Sequence, residues 1–386
     1  MSDIYLDNNA TTMLDPRVLE AMMPTLTAVG NPASAHQDGQ RARNSVEIAR
    51  RQVGALLGSS PRELVFTSGS TEANNLALKG VTRKASGPRR RIVSVTTEHP
   101  SILQTLEVLA SEGFEIVLVG VDSEGMVDLD ELQHAVNDET LLVTVMAANN
   151  ETGVLSPLAA ISQIAHDSGA LLHSDATQLL VWGGLNVEAI GVDLLSLSGH
   201  KMHGPQGVGA LYVCRDASRR LVAIQHGGGH EHGLRSGTLN TAGIVGLGAA
   251  AALAQSEGPD AALRVCVLRD KLSNELQRQA GPIVLNGNVD QRLPGTLNLS
   301  FPGADADAIM AGAPSVAIAT GSACSTGHPG PSHVLTAMGV DAERAECSLR
   351  FGLSRFTSEE EVTRAGTLVA ASASRVRDPS REAVAL

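Results

Sequence analysis

Lys201 stands in the run Ser198-Gly199-His200-Lys201-Met202-His203-Gly204-Pro205, directly after the apolar stretch Leu194 to Leu197. Most lysines are solvated surface charges. A lysine flanked by Gly, His and Pro at the end of a strand instead suits an amine whose pKa is lowered by its surroundings and which can form a Schiff base. Upstream, the stretch Ala170-Leu171-Leu172 leads into His173-Ser174-Asp175-Ala176-Thr177-Gln178. Asp175 reads there either as a cap or as a carboxylate placed to pair with a protonated ring nitrogen, which would keep that ring an electron sink. After Leu64-Val65-Phe66 comes Thr67-Ser68-Gly69-Ser70-Thr71-Glu72. Taken alone this is an N-cap with Glu72 as its capping partner. The free amides and dipole of a helix start would equally hold a phosphate. A nucleophile is available in Cys324, inside the polar run Thr320 to Pro331, whereas Cys214 and Cys266 sit in apolar or helical surroundings and Cys347 lies close to Arg350.

These clusters need elements that place them at one edge. Short apolar runs recur at 64–66, 92–95, 116–119, 141–146, 170–172, 194–197 and 209–213, and helical stretches separate most of them. The residues Ala42, Val46, Ala49, Val53 and Leu56 form the stripe of an amphipathic helix. Such alternation predicts an α/β domain with a mostly parallel sheet covered on both faces, which binds ligands beyond the carboxyl ends of its strands. From about residue 260 the pattern changes to a charged helix over 263–279, a strand over 297–301 and an apolar stretch ending at Ile318. The chain therefore divides into a large domain over 15–260 and a smaller α+β domain of residues 1–14 with 261–386.

The 386 residues are 43% hydrophobic and 18% charged, which excludes disordered and fibrous classes. A formal charge of −12 repels phosphate backbones, so direct nucleic-acid binding is not expected. The longest weakly polar run, 242–254, falls short of the roughly 20 residues of a membrane helix and reads as a buried helix. With no signal-like N-terminus, the expectation is a cytoplasmic protein. The four cysteines form no Cys-x-x-Cys and no disulfide framework. The histidines His226, His230 and His232 have only Glu231 at a ligand-like spacing, so no metal is assigned.

Taken together, the motifs identify a resemblance to the NifS/IscS class of cysteine desulfurases, pyridoxal-phosphate enzymes of the aspartate aminotransferase-like fold (fold type I, class V). It is carried by Tyr5-Leu6-Asp7-Asn8-Asn9-Ala10-Thr11-Thr12, Gly30-Asn31-Pro32-Ala33-Ser34, Thr97-Glu98-His99-Pro100, Asn149-Asn150-Glu151-Thr152-Gly153 and Asp175-Ala176-Thr177-Gln178. Further matches are Ser198-Gly199-His200-Lys201, His226-Gly227-Gly228-Gly229-His230-Glu231, Arg235-Ser236-Gly237-Thr238, Gly321-Ser322-Ala323-Cys324 and Leu349-Arg350-Phe351. The resemblance implies that Lys201 carries pyridoxal 5'-phosphate, Asp175 pairs with the pyridine nitrogen, Gln178 reaches the phenolic oxygen and His99 stacks on the ring and serves as acid/base. Ser70, Thr71, Ser198 and His200 would cradle the phosphate, joined by Thr238 from a neighbouring subunit, which implies a homodimer.

Asn150 would lie near cofactor and substrate, and Arg350 would clamp the carboxylate of L-cysteine. Cys324 would take the sulfur as a persulfide, release L-alanine and pass sulfur to an acceptor protein for iron-sulfur assembly or another product. Two other readings use the same residues: a selenocysteine lyase, transaminase or related pyridoxal-phosphate enzyme, and a catalytically silent partner in sulfur transfer. A cysteine in a long polar loop speaks against transamination, and the joint presence of Lys201, Asp175, His99, Cys324 and Arg350 against silence. The sequence departs from the family at His328-Pro329-Gly330, where Leu-Glu usually precedes the proline, and at Gln206 and His232, where Lys and Arg are usual.

Overall fold

Alternate residues of the buried strands feed two different apolar layers, and that alternation sets the architecture. Val93, Val143, Leu172 and Leu195 belong to one cluster with the helix Gln37–Leu57 and the first part of the helix Thr241–Ala280. Ile92, Leu142, Leu171 and Leu194 belong to the opposite cluster with the helices Ser70–Lys84 and Pro100–Ser111. Between them lies a seven-stranded sheet in the order Leu64–Thr67, Gly209–Val213, Leu194–Ser198, Leu171–Asp175, Thr140–Thr144, Arg91–Val95, Glu115–Val119. All pairings are parallel except the two made by Gly209–Val213. This computed structural model describes residues 3–321 and 330–378, so Cys324 lies outside the described residues.

A third cluster collects Ile4 and Leu6, the second half of the 241–280 helix, the strands Thr296–Ser300 and Ser348–Gly352, and the helix Glu359–Arg377. Two readings need correction. Residues 242–254 and 263–279 are not separate helices: one 40-residue helix runs through Pro259. Packing overrides the proline there, because Gly258 lies so close to Trp182 and Gly183 that an added Cβ would sit 2.6 Å from the Gly183 nitrogen. The 116–119 run is not a buried strand either; it forms the sheet edge, with Leu118 44% exposed.

Polar residues also cross the sheet. Ser94, Thr144, His173 and Ser196 share one face, with Thr144 Oγ1 2.8 Å from His173 Nδ1 and Ser196 Oγ 3.0 Å from His173 Nε2. Asp175 stands two residues further along the same face, at the carboxyl end of its strand.

The loop from His226 to Thr238 is held by a buried ion pair. Arg50 Nη2 lies 2.6 Å from Glu231 Oε1 and Arg50 Nη1 3.0 Å from Oε2, while Glu231 Oε2 also accepts from the Phe66 amide at 2.8 Å. These bonds hold Glu231 and His232 at φ of 50° and 57°, a region that side-chain-bearing residues rarely occupy. Glu231 is thereby committed to Arg50. Glu231→Ala would leave Arg50 only the half-exposed Glu47, 3.2 Å away, as a charge partner, and the expected cost is about 3 kcal/mol in urea denaturation; a loss below about 1 kcal/mol would show that the pair does not hold this loop.

Candidate active site

The carboxyl ends of the strands open onto a cavity of ≈340 Å³ lined by Ser70, Thr71, His99, Asn150, Asp175, Gln178, His200 and Lys201 together with Ala10, Met146, Ala148 and Thr177. Each is delivered by a local rule. Gly69 precedes the helix Ser70–Lys84 with φ 153° and ψ 179°, a conformation open essentially to glycine alone. No side chain caps that helix. Glu72 instead accepts from the Ser68 amide at 2.7 Å and pairs with Arg235 at 2.7 Å, so the first-turn amides of Ser70 and Thr71 are left to a ligand. Gly209 makes the turn possible from below: a Cβ there would meet Leu197 O at 2.4 Å and the Gly69 Cα at 2.8 Å.

Ser198, at the end of its strand, is buried beside this turn, with its Oγ 3.8 Å from where a Gly69 Cβ would be. His200 faces Thr11 Oγ1 through Nδ1 at 3.0 Å, and burial together with the Lys201 charge pushes it down to about 4. It is neutral at pH 7. Lys201 donates to Asn9 O and, at 2.7 Å, to Ala10 O; Gln178 Nε2 reaches the same Asn9 carbonyl at 3.0 Å. Asn150 is carried by a turn in which Asn149 Oδ1 accepts from the amides of Glu151 and Thr152 at 2.9 and 3.0 Å.

On the far wall, Asp175 Oδ2 accepts from Asn74 Nδ2 at 2.7 Å and Oδ1 from the Thr177 amide at 3.0 Å. His99 caps the helix Pro100–Ser111, its Nδ1 accepting from the Ser101 amide at 3.1 Å and meeting Ser101 Oγ at 2.8 Å. Burial, Lys201 and His333 lower the His99 pKa against the opposing pull of Asp175. Glu98, fully buried next to it, is raised well above the carboxylate range by desolvation and by Asp175. Two carboxyl groups thus sit in one region with unequal surroundings.

The lining fits pyridoxal phosphate. An amine, a carboxylate that already accepts two hydrogen bonds, and an uncapped helix start face one cavity, and Thr177 Oγ1 in its wall is buried without a partner. Lys201 would hold the group covalently, Asp175 its ring nitrogen, and the Ser70 and Thr71 amides with Ser198 and His200 its phosphate. Among the described residues three expected ones, Ser198, Thr238 and Arg350, are not part of the lining. Thr238 is exposed on the 226–238 loop. Arg350 is fully buried, its Nη1 donating to Asn150 O at 3.1 Å and its Nη2 pairing with Asp7 at 2.8 Å. Cys324 falls outside the described residues. Among the described cysteines Cys214 is pushed up to about 11 by burial, as an unreactive thiol would be, and Cys266 and Cys347 are unpaired.

Sequence reading missed the Asn9 and Ala10 carbonyls, Asn74 and Ser101. Asn74 did leave a signal: a weak helix former one turn into an otherwise apolar helix face.

His173 generates a pH prediction. Its folded pKa of about 4 lies below the ordinary 6.5, through desolvation that outweighs the opposing Asp175. The unfolded chain therefore binds a proton that the fold refuses, so stability complete above pH 6.5 is lost as pH falls towards 4, by about 1.4 kcal/mol per pH unit. His173→Gln should flatten the fall by that slope in urea midpoints measured across the window; an unchanged slope would show that His173 is not the group responsible.

Comparison with known proteins shows the family of the chain. The Aminotransferase class-V family model matches residues 4–365. The chain is 45% identical over 379 residues to a protein named cysteine desulfurase IscS from Anaeromyxobacter dehalogenans (strain 2CP-C), covering 98% of this chain and 94% of the relative. A solved NifS-like protein superposes with a TM-score of 0.89 at 37% identity, covering 96% of this chain and 99% of that one. A structure described as SspA in complex with cysteine superposes with a TM-score of 0.82 at 34% identity, covering 92% and 100%.

Proposed function

This chain belongs to the class-V aminotransferase family, and from that premise we propose that it is a pyridoxal-phosphate-dependent cysteine desulfurase, converting L-cysteine to L-alanine. The observation that carries the reading is the single cavity that joins Lys201, Asp175, His99 and the uncapped start of the 70–84 helix. The name of the A. dehalogenans relative and the cysteine in the SspA complex support the substrate.

Pyridoxal phosphate, when bound, supplies an electron sink for the charge that develops at the substrate α-carbon. The chain's residues handle protons and position. Lys201 Nζ is placed to remove the α-proton, and the neutral His99 ring to exchange a proton at Nε2. Asp175 would orient the bound ring and the helix-start amides would anchor its phosphate. Arg350, buried against Asp7 and the Asn150 carbonyl, would have to release Asp7 to meet the substrate carboxylate. Cys324, as a thiolate, attacks the substrate sulfur: a sulfur–sulfur bond forms, the substrate carbon–sulfur bond breaks, and the released carbon takes a proton to give alanine. The persulfide passes to an acceptor protein, with iron-sulfur assembly the destination in keeping with the IscS relatives.

The protein is proposed to act as a homodimer in which Thr238 reaches the neighbouring site. The helix Pro16–Thr27 supports this, since Leu19, Met23 and Leu26 form an exposed apolar stripe, 45%, 49% and 56% accessible, continued by Val29 at 85%. The cytoplasm is the proposed compartment, in keeping with three unpaired cysteines among the described residues. No helix among the described residues is long and apolar enough to cross a membrane.

Two experiments test the reading. Lys201→Ala should lose the yellow colour of the purified protein and cut alanine formation from cysteine by about 10²–10⁴ or more. Cys324→Ser should keep the colour yet accumulate no added sulfur by intact mass; a fully active Cys324→Ser protein would overturn the persulfide assignment. For the assembly, Met23→Asp should convert the dimer to monomer by light scattering, and a wild-type protein that is itself monomeric would overturn the shared site.

A further inference from the structure

Asn74 is buried to 0% exposure in the second turn of the 70–84 helix, and its amide nitrogen serves two masters. One hydrogen goes to Asp175 Oδ2 at 2.7 Å and the other to Ser101 Oγ at 2.9 Å. Ser101 Oγ in turn lies 2.8 Å from His99 Nδ1. The direction of every hydrogen in this chain follows from donor capacity. An ionised carboxylate only accepts, so the side of Asn74 facing Asp175 must be the NH₂. Both its hydrogens are then spent. Ser101 Oγ, having accepted one of them, has its own hydrogen for His99. The Ser101 amide also donates to Nδ1, at 3.1 Å, and an amide cannot accept. Nδ1 of His99 therefore carries a lone pair, and in the neutral ring the hydrogen sits on Nε2.

Asn74 Oδ1 has no partner, although it is buried. A residue kept only to fill space between two helices would leave no such orphan, since an apolar side chain of similar size would do as well there. The two hydrogen bonds from Nδ2 are what an apolar replacement would forfeit.

We propose that Asn74 is a positioning residue that joins Asp175 to His99 through Ser101, so that the carboxylate at the ring's edge and the imidazole at its face are held in one frame. The burial that lowers the His99 pKa agrees with the neutral ring this chain requires. Asn74 and Ser101 act through Asp175 and His99. The proposal deepens the reading of Asp175 and His99 as cofactor residues and rests on it.

The decisive property is transmission. Ser101 touches His99 and, among the described hydrogen bonds, reaches Asp175 through Asn74, so Ser101→Ala should be felt at both ends. The test uses the full-length, cofactor-loaded protein labelled with ¹⁵N-histidine, the His99 resonances being assigned by their loss in His99→Asn. Two readouts are followed: the His99 Nδ1 shift and the pH titration of the cofactor's visible band without substrate. Asn74→Ala and Ser101→Ala should each move both, the titration by about 0.5 pH unit or more, and the double variant should move them no further than Asn74→Ala. Ser101→Ala keeps the backbone amide and removes one hydroxyl, and Asn74→Ser takes the place of Asn74→Ala in the double-variant comparison if Asn74→Ala does not fold. A His99 shift in Ser101→Ala with the band's titration unmoved would overturn the proposal, as would effects of the two variants that simply add. Coupled readouts in a protein that makes no alanine from cysteine would uphold the frame and overturn the desulfurase reading.

Discussion

The segment Asp7 to Met13 is gripped from both sides, and the site takes its geometry from that grip. Its carbonyls face the large sheet: Asn9 O receives Lys201 and Gln178, and Ala10 O receives Lys201 again. Thr12 donates to His200 O from both its amide and its hydroxyl, at 2.9 and 2.8 Å, and Met13 O lies 2.9 Å from His203 Nδ1. On the other side Asn8 Nδ2 donates to Gly352 O at 2.7 Å and Asn9 Nδ2 to Thr296 Oγ1 at 2.9 Å. Gly352 is required there, because a Cβ would fall 2.3 Å from Asn9 Oδ1. Buried carbonyls must find donors. Here the donors include the reactive amine, so one short segment, turned at Asn8 to Ala10, satisfies its own backbone and aims Lys201 in the same contacts.

Arg350 shows the same economy at the opposite face of that segment. A fully buried guanidinium is tolerable only when paired, and Asp7 supplies the charge while Asn150 O supplies the second acceptor. Asn150 lines the cavity. Its backbone is therefore tied to the strand Ser348–Gly352 while the residue lines the cavity, which links the smaller sheet to the site.

Much of this was legible in the chain. Alternating apolar runs predict the sheet because a strand buried on both faces needs apolar residues at every position, and Leu171-Leu172 and Leu194-Leu195 duly divide between the two layers. Lys201, Asp175 and the Ser70-Thr71 turn were visible because strand ends with small or polar residues mark where open sheets bind, whereas His99 came only with the family resemblance. The continuity of the 241–280 helix was hidden, since Pro259 reads locally as a break and only the close approach of Gly258 to Gly183 offsets it. The carbonyls of Asn9 and Ala10 were hidden for a different reason: a backbone acceptor has no residue type to announce it. Asn74 and Ser101 lie between, polar residues in helix starts whose partners are 101 and 27 residues apart along the chain.

Unpartnered buried atoms gather around Asp175. Asn74 Oδ1, Glu98 Oε2, Ser174 Oγ and Thr177 Oγ1 all belong to residues bonded to it, adjacent to it or charge-coupled with it. Left unsatisfied, each such atom costs about 1–3 kcal/mol, so hydrogen bonds alone do not hold this region. It is held by what surrounds it: the Leu171 and Leu194 layer with Ala73, Leu76 and Ala77 beneath the helix start, and Ile102 and Leu106 beneath His99. The apolar layers carry the stability, and the strand ends are free to keep polar atoms in positions that stability alone would not select.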